Sequence, residues 1–302
     1  ASRRLNLRPH LCGANAENVK ELWCAADIEG HVGYDQNMYL LDFGRAMPPV
    51  TPNKKFHNGH IYQLFRREFV AQFNTWLCPD AYSGFVIHDP NALEYIRHID
   101  QATQHLFGTV IPDCARKLLD YVLQYGDLGS MVVEILHQNG INLRYIGRVV
   151  STFSAQNLMV ASYYGEKLVQ IVTNMLLLEA TARVIKNQTN AKLREIMKDI
   201  KEPVEVQYRQ LVVNFLNMVF GHSVESEKWW ITSLTEDLNM YFSVARYLLI
   251  GNHNQIEFSS WRKEVFYGLN NLTSSGDVSL RCALFKRVVE LCGAQVCGNY
   301  EY

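Results

Sequence analysis

The stretch DIEGHVGYDQNMYLLDFGRAMPP, residues 27–49, decides how the first part of the chain is read. Met38-Tyr39-Leu40-Leu41-Asp42-Phe43 is apolar, favours extended backbone and reads as a buried strand. Ahead of it, Tyr34-Asp35-Gln36-Asn37 is turn-prone and residues 27–31 supply the opposing arm, which predicts a β-hairpin. Pro48, Pro49 and Pro52 end it, because proline has no N–H to give to a sheet ladder. In such a hairpin Asp27 and Asp42 stand near the ends of adjacent strands, about 5 Å apart between backbones. Two carboxylates so placed can hold a divalent cation, which takes hard oxygen ligands, or one can act as a base while the other binds metal. The same carboxylates can instead pair with Arg45 or cap a turn. Glu29, His31 and Arg45 are the other candidate binding residues of the segment.

The order of these parts resembles protein-kinase-like enzymes, where a catalytic aspartate precedes a hairpin ending in Asp-Phe-Gly, whose aspartate holds Mg²⁺. Here the tripeptide is Asp42-Phe43-Gly44. The expected His-Arg-Asp is Ala25-Ala26-Asp27, Val32 stands where an asparagine is needed, and no G-x-G-x-x-G loop or lysine strand precedes it. The structural reading of Asp27 and Asp42 is favoured, and a phosphotransferase or pseudokinase using both around Mg²⁺ is the alternative.

Outward from this segment, the period becomes helical from about Ile61. Asp89-Pro90-Asn91 opens a helix with Leu93, Ile96, Ala102 and Leu106 on one side. Residues 113–125, 165–188, 208–220 and 280–292 repeat apolar residues at spacings of three and four. Residues 221–227 and 252–260 read as polar loops, and 273–277 as a turn cluster. Lys192 to Lys201 interleaves charges as a solvated helix does. The expected fold class is α+β and predominantly helical: an N-terminal β-hairpin element (1–55) packed on a multi-helix body (56–302) in one domain, with a kinase C-terminal lobe as the comparison.

The block HQNGINLRYIGR, residues 137–148, combines a helix stop at Gly140 with Asn142, Arg144 and Arg148 among apolar neighbours. Asn142 and Arg144 can satisfy buried carbonyls or carboxylates. Alternatively Arg144 and Arg148 contact phosphate or RNA backbone. Trp229-Trp230 can stack bases, or anchor a helix end in the core, which is the commoner use. His57 and His60, three apart around Gly59, read as a polar loop without a third metal ligand.

Composition narrows the classes. With 48% hydrophobic and 20% charged residues the chain can bury a substantial core. A formal charge of −1 gives no overall pull towards nucleic acid or anionic lipid, and neither DNA binding nor membrane insertion is expected. No uninterrupted apolar run approaches the roughly 18 residues of a membrane span. Seven scattered cysteines without a C-x-x-C pair indicate neither a disulfide framework nor a zinc site, and suit a cytoplasmic protein with reduced thiols. No cofactor is expected. Ala1 fits either methionine removal or a domain cut from a longer protein.

Taken in order, the blocks resemble the central domain of the clustered-mitochondria (Clu) family. Residues 27–49 are similar to its acidic-Glu-Gly-His stretch leading to Tyr-Leu-Leu-Asp-Phe-x-Arg and a Pro-Pro pair. Residues 62–70 are similar to its Leu-x-Arg-Pro-Glu-Phe-Val segment, with Arg67 replacing proline, and 137–147 to its His-x-x-Gly-Ile-Asn-x-Arg-Tyr-Leu-Gly block. Residues 214–221 and 226–230 match weaker motifs. The resemblance implies a cytoplasmic, non-catalytic RNA- or protein-interaction domain linked to mitochondrial distribution and to translation of messages for mitochondrial proteins. Its implied partners are messenger RNA, the translation machinery and other protein domains. A structural scaffold between partner domains is the third reading.

Overall fold

The computed structural model describes residues 2–13, 15–53, 58–126, 128, 129, 131–155, 163–198, 204–244, 258–267 and 279–293. They fall into two compact units, one of residues 1–114 with 134–142 and the other of residues 115–133 with 143–302. The α+β, mainly helical class stands, and among the described residues every strand lies in the first unit.

In the first unit, His10–Cys12 (β1) pairs antiparallel with Lys20–Leu22 (β2), and Glu29–Val32 (β3) pairs antiparallel with Met38–Leu41 (β4). The hairpin ends at Leu41, well before the prolines expected to stop it, and residues 48–50 themselves pair: Val50 N–H donates to Gln63 O (2.7 Å) and Phe65 N–H to Pro48 O (2.9 Å). Short helices follow at Gly59–Tyr62 (α1) and Arg67–Gln72 (α2). Asn6 adopts a left-handed backbone (φ 59°), and its side-chain amide donates to Val70 O and Phe73 O beyond α2.

Helix Ala92–His105 (α3) runs through a π-helical turn, Leu106–Val110, into Ile111–Tyr125 (α4). Its inward face differs from the expected one. Tyr95, Ile99, Ala102 and Leu106 are buried, Ile96 is half-buried and Leu93 is 82% exposed. The Tyr95 hydroxyl donates to Asp89 (2.8 Å) and Arg8 stacks on its ring, so tyrosine outcompetes leucine for the interior. At the end of Met131–Gln138 (α5), Gly140 is left-handed (φ +72°), and a β-carbon there would meet the Phe69 backbone at 2.6–2.7 Å. Only glycine fits both conditions.

The second unit is built on Glu166–Ile196 (α7), which follows Ile146–Ala155 (α6). An 18-residue window of α7 has a hydropathy of 1.4, long and apolar enough to cross a membrane, but 72% of that window is buried within the protein. A helix apolar on all sides belongs in the middle of a bundle. Val204–Phe220 (α8), Ser233–Phe242 (α10) and Leu280–Cys292 (α12) pack on it, together with α6. Residues 221–227 are not one loop. Ser223 caps Val224–Ile231 (α9), accepting from Ser226 N–H (3.2 Å), and Glu225 and Glu227 favour the positive N-terminus. Trp229 donates to Gln188 (2.9 Å) and Trp230 to Val219 O (2.8 Å), which makes both tryptophans core anchors. Phe258–Tyr267 (α11) adds Trp261, whose indole donates to Thr181 (3.2 Å). The predicted 273–277 turn lies outside the described residues.

One charge is buried in α7. Glu179 accepts from Arg183 (2.6 Å) and twice from Arg287 (2.7 and 3.1 Å). Burial pushes its carboxyl up, but the Arg287 hydrogen bonds and both guanidinium charges outweigh that and hold it below its ordinary 4.5. A depressed folded-state value means the stabilisation is present above the unfolded value and lost as pH falls through the folded one. Melting experiments should therefore show stability declining below about pH 4.5, and Glu179→Gln should flatten that decline while costing about 3 kcal/mol at neutral pH. A variant with an unchanged acid limb would contradict this.

Candidate functional site

A parallel bridge between Leu7 and Leu77, with Arg8 N–H donating to Leu77 O (3.0 Å), aligns two segments at an offset of seventy residues. The same offset sets His10 opposite Asp80. Strand alternation turns His10 and Cys12 to the interior. His10 Nε2 lies 2.9 Å from Asp80 Oδ2 with both side chains wholly buried, and its Nδ1–H donates to Arg8 O (3.0 Å). Asp80 Oδ2 also accepts Ala26 N–H (2.8 Å), and Oδ1 accepts the Ser83 hydroxyl (3.2 Å). Burial works against a charged imidazole, but hydrogen bonds with Asp80, Cys12 and Cys78 raise His10 far above its ordinary value.

Arg45 extends this network outward. Its Nε donates to Asp27 (2.5 Å) and its Nη2 reaches Asp80 Oδ1 (3.4 Å). Asp42 takes a left-handed conformation (φ 57°) before the turn Phe43–Arg45 and is itself exposed. The Arg45 hydrogen bond holds the Asp27 carboxyl below the usual range against partial desolvation, and Asp27, Asp80 and Asp42 in turn keep Arg45 charged. Asp27, Asp42, Arg45, His60, Tyr62 and Phe85 line a cleft of about 610 Å³. The kinase-like reading needs Asp27 and Asp42 available to Mg²⁺; here a guanidinium already neutralises the site. Asp27 Oδ1 is buried without a hydrogen-bond partner. His57 lies outside the described residues.

The hairpin itself corrects the expectation of a buried strand. Every residue of β3 and β4 is exposed. Register pairs Val32 with Met38 and Gly30 with Leu40, so one face carries Val32, Met38 and Leu40. Glu29 and His31, the predicted binding pair, share the other face with Tyr39 and Leu41 and contact each other at 2.9 Å. The turn is clasped by Asp35, which accepts from Asn37 (2.7 Å) and the Tyr39 hydroxyl (2.6 Å). Asn142 ends the 134–142 segment of the first unit. Arg144 and Arg148, in the second, are half-buried and electrostatically coupled to Tyr145, whose hydroxyl is pushed up by burial against their charge.

His10, Cys12, Cys78 and Asp80 were missed by spacing rules. Their signal is two short pairs, His-x-Cys and Cys-x-Asp, separated by 65 intervening residues and brought together by the parallel bridge and the His10–Asp80 contact.

The family model for clustered mitochondria matches residues 1–51, the β1–β4 region and its Asp27–Arg45 pair. Over that region the chain is similar to the clustered-mitochondria family. The model for translation initiation factor eIF3 subunit 135 matches residues 128–263. A clustered mitochondria protein homolog of Eremothecium gossypii is 26% identical over 161 residues, 43% of this chain and 12% of the relative. The Caenorhabditis elegans homolog is 33% identical over 91 residues, 30% of this chain and 7% of the relative. The matched part thus spans about a tenth of the curated relatives. No solved structure matches.

Arg45→Met strands the Asp27 and Asp80 carboxylates. Urea denaturation is expected to show a loss of about 2 kcal/mol, partly recovered by adding Asp27→Asn. Equal stability of wild type and Arg45→Met would refute the pairing.

Proposed function

We propose that this chain is a non-catalytic protein-interaction module of cytoplasmic clustered-mitochondria proteins, serving mitochondrial distribution and the translation of messages for mitochondrial proteins. The observation that carries the reading is the β3–β4 hairpin. Val32 (64%), Met38 (69%) and Leu40 (58%) are exposed on one face, with Tyr34 and Phe43 exposed at its two ends. An exposed apolar patch on a strand pair whose outer edges pair with no other strand among the described residues is a surface for a partner, because it offers both apolar area and backbone groups. Glu29 and His31 on the opposite face would orient that partner. A purely structural scaffold gives no reason to keep these side chains in water.

The match to the initiation-factor subunit family supports a partner within the translation machinery. Association with messenger RNA then runs through that partner, since Arg144 and Arg148 are half-buried beside Tyr145.

Met38→Glu/Leu40→Glu tests the reading in cells. The variant should melt like the wild type, because both residues are exposed, while its co-sedimentation with initiation complexes falls by about tenfold. Wild-type co-sedimentation by this variant would reject the hairpin as the docking element.

A further inference from the structure

We propose that His10, Cys12, Cys78 and Asp80 form a closed, structural zinc site that pins β1 to the segment leading from α2 to α3. Among the described residues, His10, Cys12 and Asp80 bring a ligand atom each within 4.8 Å of one another, all three side chains being buried. His10 Nε2 and Asp80 Oδ2 are 2.9 Å apart, and Cys12 Sγ is 3.9 Å from the same oxygen. Tetrahedral zinc with bonds of about 2.0 Å to nitrogen or oxygen and 2.3 Å to sulfur spaces its ligands about 3.3–3.8 Å apart. Cys12 and Asp80 already stand near that spacing, while the His10–Asp80 contact has to open from 2.9 Å. Cys78, 1% exposed and close enough to interact with the same imidazole, lies outside that 4.8 Å trio and is assigned as the fourth ligand, drawn in when the ion binds.

The surroundings are those of a metal site. A ligating histidine donates its other ring N–H to a carbonyl or carboxylate, which fixes the tautomer; His10 Nδ1–H does so to Arg8 O. The Asp80 carboxylate is oriented by Ala26 N–H, Ser83 and Arg45. Two thiolates beside an imidazole select zinc over magnesium or calcium, which prefer all-oxygen shells. Binding sends the Nε2 proton and two thiol protons to solvent, and leaves a site of net charge −1 that Arg45 balances from 3.4 Å. Four protein ligands leave no position for water or substrate, so the ion holds structure and performs no chemistry.

The test uses the whole chain purified without added chelator. Elemental analysis should find about one zinc per chain, and exchange with Co²⁺ should produce thiolate-to-cobalt charge transfer with tetrahedral d–d bands. Chelation should lower the melting temperature and zinc should restore it. Cys78→Ser and Cys12→Ser should weaken binding at least about tenfold, whereas Cys24→Ser, on a half-exposed neighbouring thiol, should not. Should the two variants fail to fold, the cobalt spectrum and zinc rescue of the wild type still decide. Absence of zinc with no cobalt band, or zinc retained by both Cys12→Ser and Cys78→Ser, overturns the site and leaves a His10–Asp80 ion pair only.

Discussion

The buried contact between His10 and Asp80 organises the whole of the first unit. A carboxylate removed from water must be satisfied on every side or it costs several kcal/mol. Asp80 meets that demand by drawing in His10, the backbone of Ala26, Ser83 and Arg45. Each of these comes from a different stretch of chain. Satisfying one carboxylate therefore fixes where β1, the entry to the hairpin and the turn after it must lie. Arg45 passes the constraint to Asp27, and so sets the base from which β3 and β4 project.

That base explains how an exposed hairpin keeps its shape. Its strands gain little from burial, since all eight residues face water. Order comes instead from the Arg45–Asp27 anchor at one end and the Asp35–Tyr39–Asn37 clasp at the other. The apolar side chains are thereby left for a partner rather than spent on the fold. The second unit follows a similar rule with different parts. Glu179, buried in the central helix, is held by arginines from α7 and α12.

Most of the secondary structure was legible in the sequence, because period and caps are local signals. Helix 280–292 was read to its ends, and the strand at Met38 and its turn were found. What the sequence did not disclose is burial, which depends on what covers an element. The apolar run at 38–43 looks like a core strand, yet nothing in its own pattern says that no layer lies over it. Likewise Leu93 and Tyr95 compete for one interior, and Asp89 and Arg8 decide the outcome from outside the helix. For the site, the sequence offers the Arg45 pairing of Asp27 as one of two local uses of that carboxylate. The Asp80 hub was not legible, because residues 10–12 and 78–80 share no local motif and meet through tertiary pairing alone.

Hydrogen exchange on the chain carrying Asp80→Asn tests the central role of that carboxylate most directly. If Asp80 is the hub, amides of residues 10–12, 26 and 45–50 should lose protection together, although they are far apart in sequence. Loss confined to residues next to position 80, or protection unchanged throughout, would contradict the account.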